Sequence, residues 1–111
     1  MEPGTDQITI IRVAHERMVY EKLEETAREW AGYLQQGSKW FVIDMSTVAF
    51  MDSASIGCLM DFYKKTRAIG GRIHLACVQP RIDKMLSIVK AKDLFGIYAT
   101  VAEAVAALRS A

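Results

Sequence analysis

The chain has 111 residues, of which 51% are hydrophobic and 24% are charged. This composition is typical of a soluble globular protein, and the length is sufficient for one hydrophobic core, so we expect a single domain spanning residues 1–111. Fourteen basic and thirteen acidic residues give a net charge of +1, which argues against direct binding to nucleic acid or to a charged membrane surface.

Two features predict a cytoplasmic protein. The N-terminal segment carries Glu2 where a signal peptide carries Lys or Arg, and the chain contains no apolar run of the roughly 18 residues that insertion into a membrane requires. The two cysteines, Cys58 and Cys77, lack CxxC spacing, as expected for reduced thiols.

The first predicted element is a β-hairpin. Residues 8–14 alternate in hydrophobicity like a partly exposed strand, and residues 18–20 are the candidate return strand after a turn at residues 15–17. The hairpin would give the sheet a mixed edge. The helix that follows carries Leu23, Ala27, Trp30 and Leu34 on one stripe and is expected to end at Gly37.

Three strand-helix units are predicted next. The apolar run 40–43, closed by Asp44, indicates a central strand buried on both faces. A helix over residues 53–69 ends at Gly70-Gly71, and a strand over residues 72–78 follows. The apolar stripe of that helix is Ile56, Leu59, Met60 and Tyr63.

The last two helices have recognisable starts. Pro80 occupies the first position of a helix with the stripe Ile82, Met85, Leu86 and Val89. After a short strand at residues 97–99, Thr100 and Glu103 form a capping box. Successive strand-helix units predict parallel central strands. The predicted fold class is therefore α/β, with a mixed sheet of four to five strands and about four helices.

The turn from Asp44 to Gly57 is the candidate functional segment. Ligands and partners of parallel sheets gather at the carboxyl ends of the strands, and here Asp52 and Ser53 begin a helix with the hydroxyl of Ser53 expected to be exposed. The ordinary explanation of Asp-Ser at a helix start is capping, because both residues satisfy free N–H groups there.

Residues 50–57, Phe-Met-Asp-Ser-Ala-Ser-Ile-Gly, followed by a helix and by Gly70-Gly71, resemble the F-x-D-S-S-G-L-G pattern of the STAS domain of bacterial anti-sigma-factor antagonists. Residues 41–46 resemble that family's strand ending in D-L-S, and residues 94–108 resemble its C-terminal end. The resemblance covers about residues 8–109 and implies a STAS-type fold.

The resemblance also implies a function. In the family, the serine after the aspartate is phosphorylated by a cognate anti-sigma factor that is a GHKL-type serine kinase, and a PP2C-type phosphatase removes the phosphate. The unmodified antagonist binds the anti-sigma factor and releases the sigma factor. By position the acceptor is Ser53, with Ser55 as the alternative because Ala54-Ser55 stands where the family has Ser-Gly. The implied partner-binding residues are Asp44, Asp52, Ser53, Ala54, Ser55, Ile56 and Gly57.

Three residues of the second helix extend this surface. Gly57 costs about 1 kcal/mol relative to Ala inside a helix, which either close packing on the sheet or contact with a partner explains. Cys58 and Phe62 lie beside the apolar stripe and are candidates for the edge of the docking surface. For Cys58 the favoured interpretation is a small buried apolar residue.

Two other functions are compatible with the pattern. The alternative hypothesis is a non-phosphorylated STAS subunit of a membrane lipid-transport ABC complex. Hydrolysis with Ser53 as nucleophile would need a base, and the only candidates, His15 and His74, are predicted away from it. No metal-ligand spacing and no phosphate-binding glycine loop occurs, so we expect no enzyme activity, metal or cofactor.

Overall fold

The computed structural model describes residues 7–110 of the chain. The strands are β1 (Thr9–Arg12), β2 (Arg17–Met18), β3 (Trp40–Asp44), β4 (Phe50–Met51), β5 (Arg72–Ala76) and β6 (Gly96–Tyr98). The helices are α1 (Leu23–Gln35), α2 (Ser53–Ala68), α3 (Pro80–Ile88) and α4 (Val101–Arg109), and a 3-10 turn at Tyr20–Lys22 precedes α1. Residues 1–6, on which the prediction of an N-terminus without a signal peptide rests, and residue 111 lie outside the described residues.

The strands form a four-stranded sheet in the order β1-β3-β5-β6 and a separate pair, β2-β4. All five residues of β3 are buried, because helices cover both faces of the central strands. Phe41 and Ile43 belong to the larger core, which α1, α2 and α3 complete, whereas Val42 and Ala76 pack against α4. The predicted fold class, a STAS-type α/β sheet with parallel central strands and four helices, is confirmed.

The predicted N-terminal hairpin is wrong. β1 pairs with β3 in parallel, and β2 pairs in parallel with β4 rather than with β1. The segment at residues 15–17 has no Gly or Asn to make a tight reversal, and the two strands pair with different partners in two separate sheets. Val13 N donates to Asp44 O at 3.2 Å, and the carbonyl of Glu16 accepts from Phe50 N at 3.2 Å. All pairings of the four-stranded sheet in the described residues are therefore parallel, and the mixed edge predicted from the hairpin is wrong.

The face of α2 that packs against the core is rotated from the predicted face, and its residues lie about one position earlier in the sequence. Ile56, Met60 and Tyr63 are half-buried beside the core. The fully buried residues of the helix are Ser55, Leu59, Phe62 and Thr66. Two of these four are polar, so a search for apolar periodicity does not find them.

Helix ends follow the local signals in the sequence. Pro80 begins α3, and Thr100 Oγ1 accepts from Glu103 N at 3.1 Å at the start of α4. The helix start predicted at Pro80 and the cap predicted at Thr100 are confirmed. Val89 lies beyond the end of α3 and is 50% exposed, so it does not belong to the apolar stripe predicted for that helix.

Gly70 and Gly71 end α2 for two different reasons. Gly70 has a φ of 80°, a left-handed conformation that glycine adopts without steric cost. Gly71 lies against a neighbouring segment, and a Cβ there would overlap the backbone oxygen of Lys39 and approach Thr66 Cγ2 to 2.8 Å. The chain can therefore turn from α2 into β5 only with a residue that has no side chain at position 71.

His74 makes the stability of the fold depend on pH. Its ring is buried in the middle of β5, with Nδ1 3.2 Å from the carbonyl oxygen of Ala104. Burial lowers the pKa of His74 below its ordinary value, the hydrogen bond to Ala104 acts in the opposite direction, and the charge of Arg72 lowers the pKa further. The unfolded chain therefore takes up this proton at a higher pH than the folded chain does.

We expect the free energy of unfolding to fall as the pH decreases from about 7.5 to 5.5, through the unfolded-state pKa of about 6.5. Urea unfolding at the two pH values measures this change, and His74→Gln serves as the comparison. Asp44 and Asp52, whose pKa values are lowered, titrate below this range. An equally large pH effect in His74→Gln would show that another group is responsible.

Candidate functional site

The side chain of Asp52 joins the turn at Tyr20 to the start of α2. Its Oδ1 accepts a hydrogen bond from Ser55 N at 2.8 Å, and its Oδ2 accepts from Tyr20 N at 2.9 Å. Hydrogen bonding from Ser55 and then from Tyr20 lowers the pKa of Asp52. The side chain is therefore an ordered carboxylate at neutral pH, and the capping role predicted for it is confirmed.

Ser53 is the first residue of α2 and is exposed. Within residues 7–110, the backbone N–H groups of Ser53 and Ala54 have no acceptor, as is usual in the first turn of a helix. The positive end of the helix dipole lies at the same place. An anionic group attached to the Ser53 hydroxyl would therefore find hydrogen-bond donors beside it.

Ser55 has a structural role, although it is only two residues away. It is fully buried, and its Oγ donates a 2.6 Å hydrogen bond to the carbonyl oxygen of Met18. Met18 O also accepts from Asp52 N at 3.2 Å. The hydroxyl of Ser55 thus ties β2 to α2 and is not accessible to another molecule in this conformation.

Asp44 ends β3 and is 5% exposed. Its Oδ2 is 3.3 Å from Arg12 Nε, and its Oδ1 accepts from Ser46 N at 3.0 Å. Burial alone would raise the pKa of Asp44, but the hydrogen bonds from Ser46 and the neighbouring Arg12 guanidinium outweigh it and lower the pKa. The Asp44 charge is therefore compensated within the fold, and its role is to hold the loop after β3.

The remaining predicted surface residues of α2 differ in exposure. Ala54, Ile56 and Cys58 are half-buried, and burial raises the pKa of the Cys58 thiol. Phe62 is 4% exposed, with its ring centroid 4.9 Å from those of both Trp30 and Phe41. Phe62 therefore belongs to the core and not to the edge of a docking surface, because it lies on the rotated buried face of α2.

Gly57 faces open space. A Cβ at this position would meet no atom within 4 Å, and the residue is exposed. Close packing on the sheet, one of the two explanations for this glycine, is therefore wrong. A glycine inside an exposed helical turn destabilises the helix by about 1 kcal/mol relative to Ala, and nothing within the described residues requires it.

Tyr20 was not identified from the sequence as part of the site. It is 73% exposed, and its backbone N–H is held by Asp52. A groove of about 470 Å³ runs between this turn and α2. Its lining residues are Tyr20, Glu21, Leu23, Glu24, Ala27, Ala54, Cys58 and Asp61. Residues 20 and 52 are 32 positions apart, and no local pattern in the sequence connects them.

The two histidines are the candidate bases for hydrolysis at Ser53. Within residues 7–110, neither His15 nor His74 is hydrogen-bonded to Ser53, and His74 is buried in β5. The same residues contain no cluster of three or more His, Cys, Asp or Glu side chains that could hold a metal ion. Both cysteines are free. No helix in the described part of the chain is long and apolar enough to span a membrane.

The family model of the STAS domain matches residues 2–104, so the chain belongs to the STAS domain family. Proteins of this family are in general regulators without enzyme activity. Within it, a protein of Thermotoga neapolitana, named as a candidate anti-sigma factor antagonist and homologue of TM1081, is 29% identical over 72 residues. The match covers 65% of this chain and 64% of that protein, which is less than two thirds of the relative's length.

Two solved structures are similar over almost the whole chain. An anti-sigma-factor antagonist (STAS) domain protein from Planctomyces limnophilus has a TM-score of 0.82 and 25% identity, over 92% of this chain and 91% of its own. The Bacillus cell fate determinant SpoIIAA in its phosphorylated form has a TM-score of 0.74 and 21% identity, over 95% and 94%. At 21% identity, the similarity to SpoIIAA shows a shared fold only.

Proposed function

We propose that this protein is an anti-sigma-factor antagonist whose partner binding is switched by phosphorylation of Ser53. The observation that carries the proposal is the contrast between the two serines of the motif. Ser53 is exposed at the first position of α2, whereas the hydroxyl of Ser55 is buried against Met18 O. Similarity to anti-sigma-factor antagonists supports it independently.

Phosphorylation at this position is compatible with the fold. The phosphate adds a charge of about −1.5 to −2 beside the free N–H groups of Ser53 and Ala54 and the positive end of the helix dipole. The added charge would lie next to the ordered carboxylate of Asp52, whereas Asp44 is already paired with Arg12. The effect is therefore expected at the interface with the partner and not inside the domain.

The proposed docking surface consists of Ser53, Ala54 and Gly57 on α2 and of Tyr20 beside them. Gly57 supports this choice because a helical glycine with open space around it permits the close approach of another chain. Ile56 and Cys58 contribute their exposed parts. Ser55 and Phe62 support the surface from beneath, since both are buried.

The proposed partners are an anti-sigma factor that is also a GHKL-type serine kinase and a PP2C-type phosphatase that removes the phosphate. In its unmodified form the protein would bind the anti-sigma factor and release the sigma factor. The proposal includes a cytoplasmic location, where such partners act, and one STAS domain spanning residues 1–111.

The kinase reaction tests the assignment of the acceptor. The purified chain, incubated with its anti-sigma-factor kinase and ATP, is expected to gain one phosphate in the wild type, none in Ser53→Ala, and one in Ser55→Ala. Ser55→Ala removes one hydrogen bond to Met18 O, which keeps its bond from Asp52 N, at a cost of about 0.5–1.5 kcal/mol. Circular dichroism must therefore first show that this variant is folded. Mass spectrometry of peptides locates the phosphate.

Phosphate on a residue other than Ser53 would contradict the proposed acceptor. Uptake by neither serine would favour a role without phosphorylation, such as that of the STAS domains that occur in transporters.

A further inference from the structure

A second polar groove lies at the other end of α2 from Ser53. Its volume is about 320 Å³, within the range of small-molecule sites. The lining residues are Tyr63, Arg67, Arg72, Ile73, His74, Asp93, Leu94, Phe95 and Gly96. Arg67 follows Ser53 by fourteen residues in the same helix, a separation of about 21 Å at 1.5 Å per residue. The groove is therefore separate from the proposed phosphorylation site.

Two guanidinium groups at this groove have no partner of their own. Within residues 7–110, neither Arg67 nor Arg72 makes an ion pair or a side-chain hydrogen bond, and the carboxylate of Asp93 is also unpaired. Arg67 complements the negative end of the α2 dipole, but Arg72 is on a strand and has no such role. The groove thus has an excess of positive charge and two unused planar donors.

The buried side chain of His74 adds an acceptor to this groove. A carbonyl oxygen only accepts hydrogen bonds, so the Nδ1 that faces Ala104 O carries the proton. In the neutral ring Nε2 is then an acceptor. No described group donates to it, although the residue is only 8% exposed, and His74 is among the residues that line the groove. Gly96 keeps this atom accessible, because a Cβ there would lie 3.0 Å from Nε2.

We propose that this groove binds a small hydroxylated phosphomonoester, such as a sugar phosphate. Arg67 and Arg72 would hold the phosphate oxygens, since guanidinium groups match phosphate geometry. Nε2 of His74 would accept a hydrogen bond from a hydroxyl of the same molecule, and Asp93 offers a second acceptor. Tyr63 and Phe95, whose ring centroids are 5.2 Å apart, form an apolar wall of the groove.

Titration of the ¹⁵N-labelled full chain with ribose 5-phosphate, followed by NMR, tests the proposal. Saturable shifts are expected at the amides of Arg72, His74 and Gly96 and not at Ser53. Arg67→Gln and Arg72→Gln should each weaken binding about tenfold, the loss expected for a charge-assisted hydrogen bond. Arg81→Gln, a change of an exposed arginine on α3, is the matched control and should bind like the wild type.

Three outcomes would overturn the inference: no saturable shift, shifts that centre on Ser53, or equal binding by the glutamine variants. Inorganic phosphate and ribose are the companion probes. If phosphate alone binds as tightly as ribose 5-phosphate, hydroxyl recognition by His74 is contradicted. Because Arg67→Gln and Arg72→Gln leave Ser53 unchanged, both should accept phosphate from the kinase, so this inference and the proposed function can fail separately.

Discussion

Ser53→Asp is expected to weaken binding to the proposed anti-sigma-factor partner by about thirty-fold to several thousand-fold, which corresponds to a loss of about 2–5 kcal/mol for a disrupted charged contact in an interface. The same substitution should leave the free energy of unfolding unchanged or raise it slightly, because an acidic side chain in the first turn interacts favourably with the helix dipole. Isothermal titration calorimetry measures the affinity, and urea unfolding measures the stability.

Two further variants separate the role of charge from that of the hydroxyl itself. Ser53→Ala removes the hydroxyl without adding charge and should bind within a few-fold of the wild type. Ser87→Asp adds the same charge at an exposed position of α3 and should also bind normally. If Ser53→Asp binds as tightly as these two controls, the proposed electrostatic switch is wrong.

Gly71→Ala is expected to lower the free energy of unfolding by about 3 kcal/mol or more, at the upper end of the range for overpacked sites. The added Cβ would overlap the backbone oxygen of Lys39, which accepts a 2.9 Å hydrogen bond from Arg72 N. A backbone atom cannot move aside as a flexible side chain does. Relief therefore requires a shift of the segment that leads into β3 or of the start of β5.

Gly57→Ala is the matched control, because it makes the same chemical change in open space. It should raise the free energy of unfolding by up to about 1 kcal/mol, the difference in helix propensity between the two residues. Chemical denaturation of both variants under the same conditions gives the comparison. Equal destabilisation by the two substitutions would contradict the close approach at Gly71.

Local signals in the sequence were sufficient to place the helices of the second half of the chain. Pro80 at the start of α3, Thr100 at the start of α4 and Gly70 at the end of α2 act over a few residues, and each has the predicted effect. The pairing of β2 with β4 has no such signal. Met18 pairs with Met51, which is 33 residues later in the chain. This parallel pairing depends on the packing of α1 and β3, which lie between the two strands in the sequence. The sequence therefore did not exclude the hairpin.

The motif at residues 52–55 identified the candidate site but could not separate its two serines. Positions 53 and 55 differ by about 200° around a helix, so one faces outward when the other faces the core. The outward position follows only from the contact of Ser55 with Met18 O, 37 residues away. The polar residues Ser55 and Thr66 on the buried face of α2 also explain why Phe62 was placed outside the core.

Asp52 accepts hydrogen bonds from both Tyr20 N and Ser55 N, and this affects how a kinase would recognise the protein. The start of α2 contains contacts between residues near positions 18–20 and residues 52–55, and these two segments lie together where β2 pairs with β4. An isolated peptide with the sequence of residues 50–57 would lack the turn that contains Tyr20. A kinase that recognises the folded surface formed by this turn and the start of α2 would phosphorylate folded molecules and not unfolded or misfolded ones.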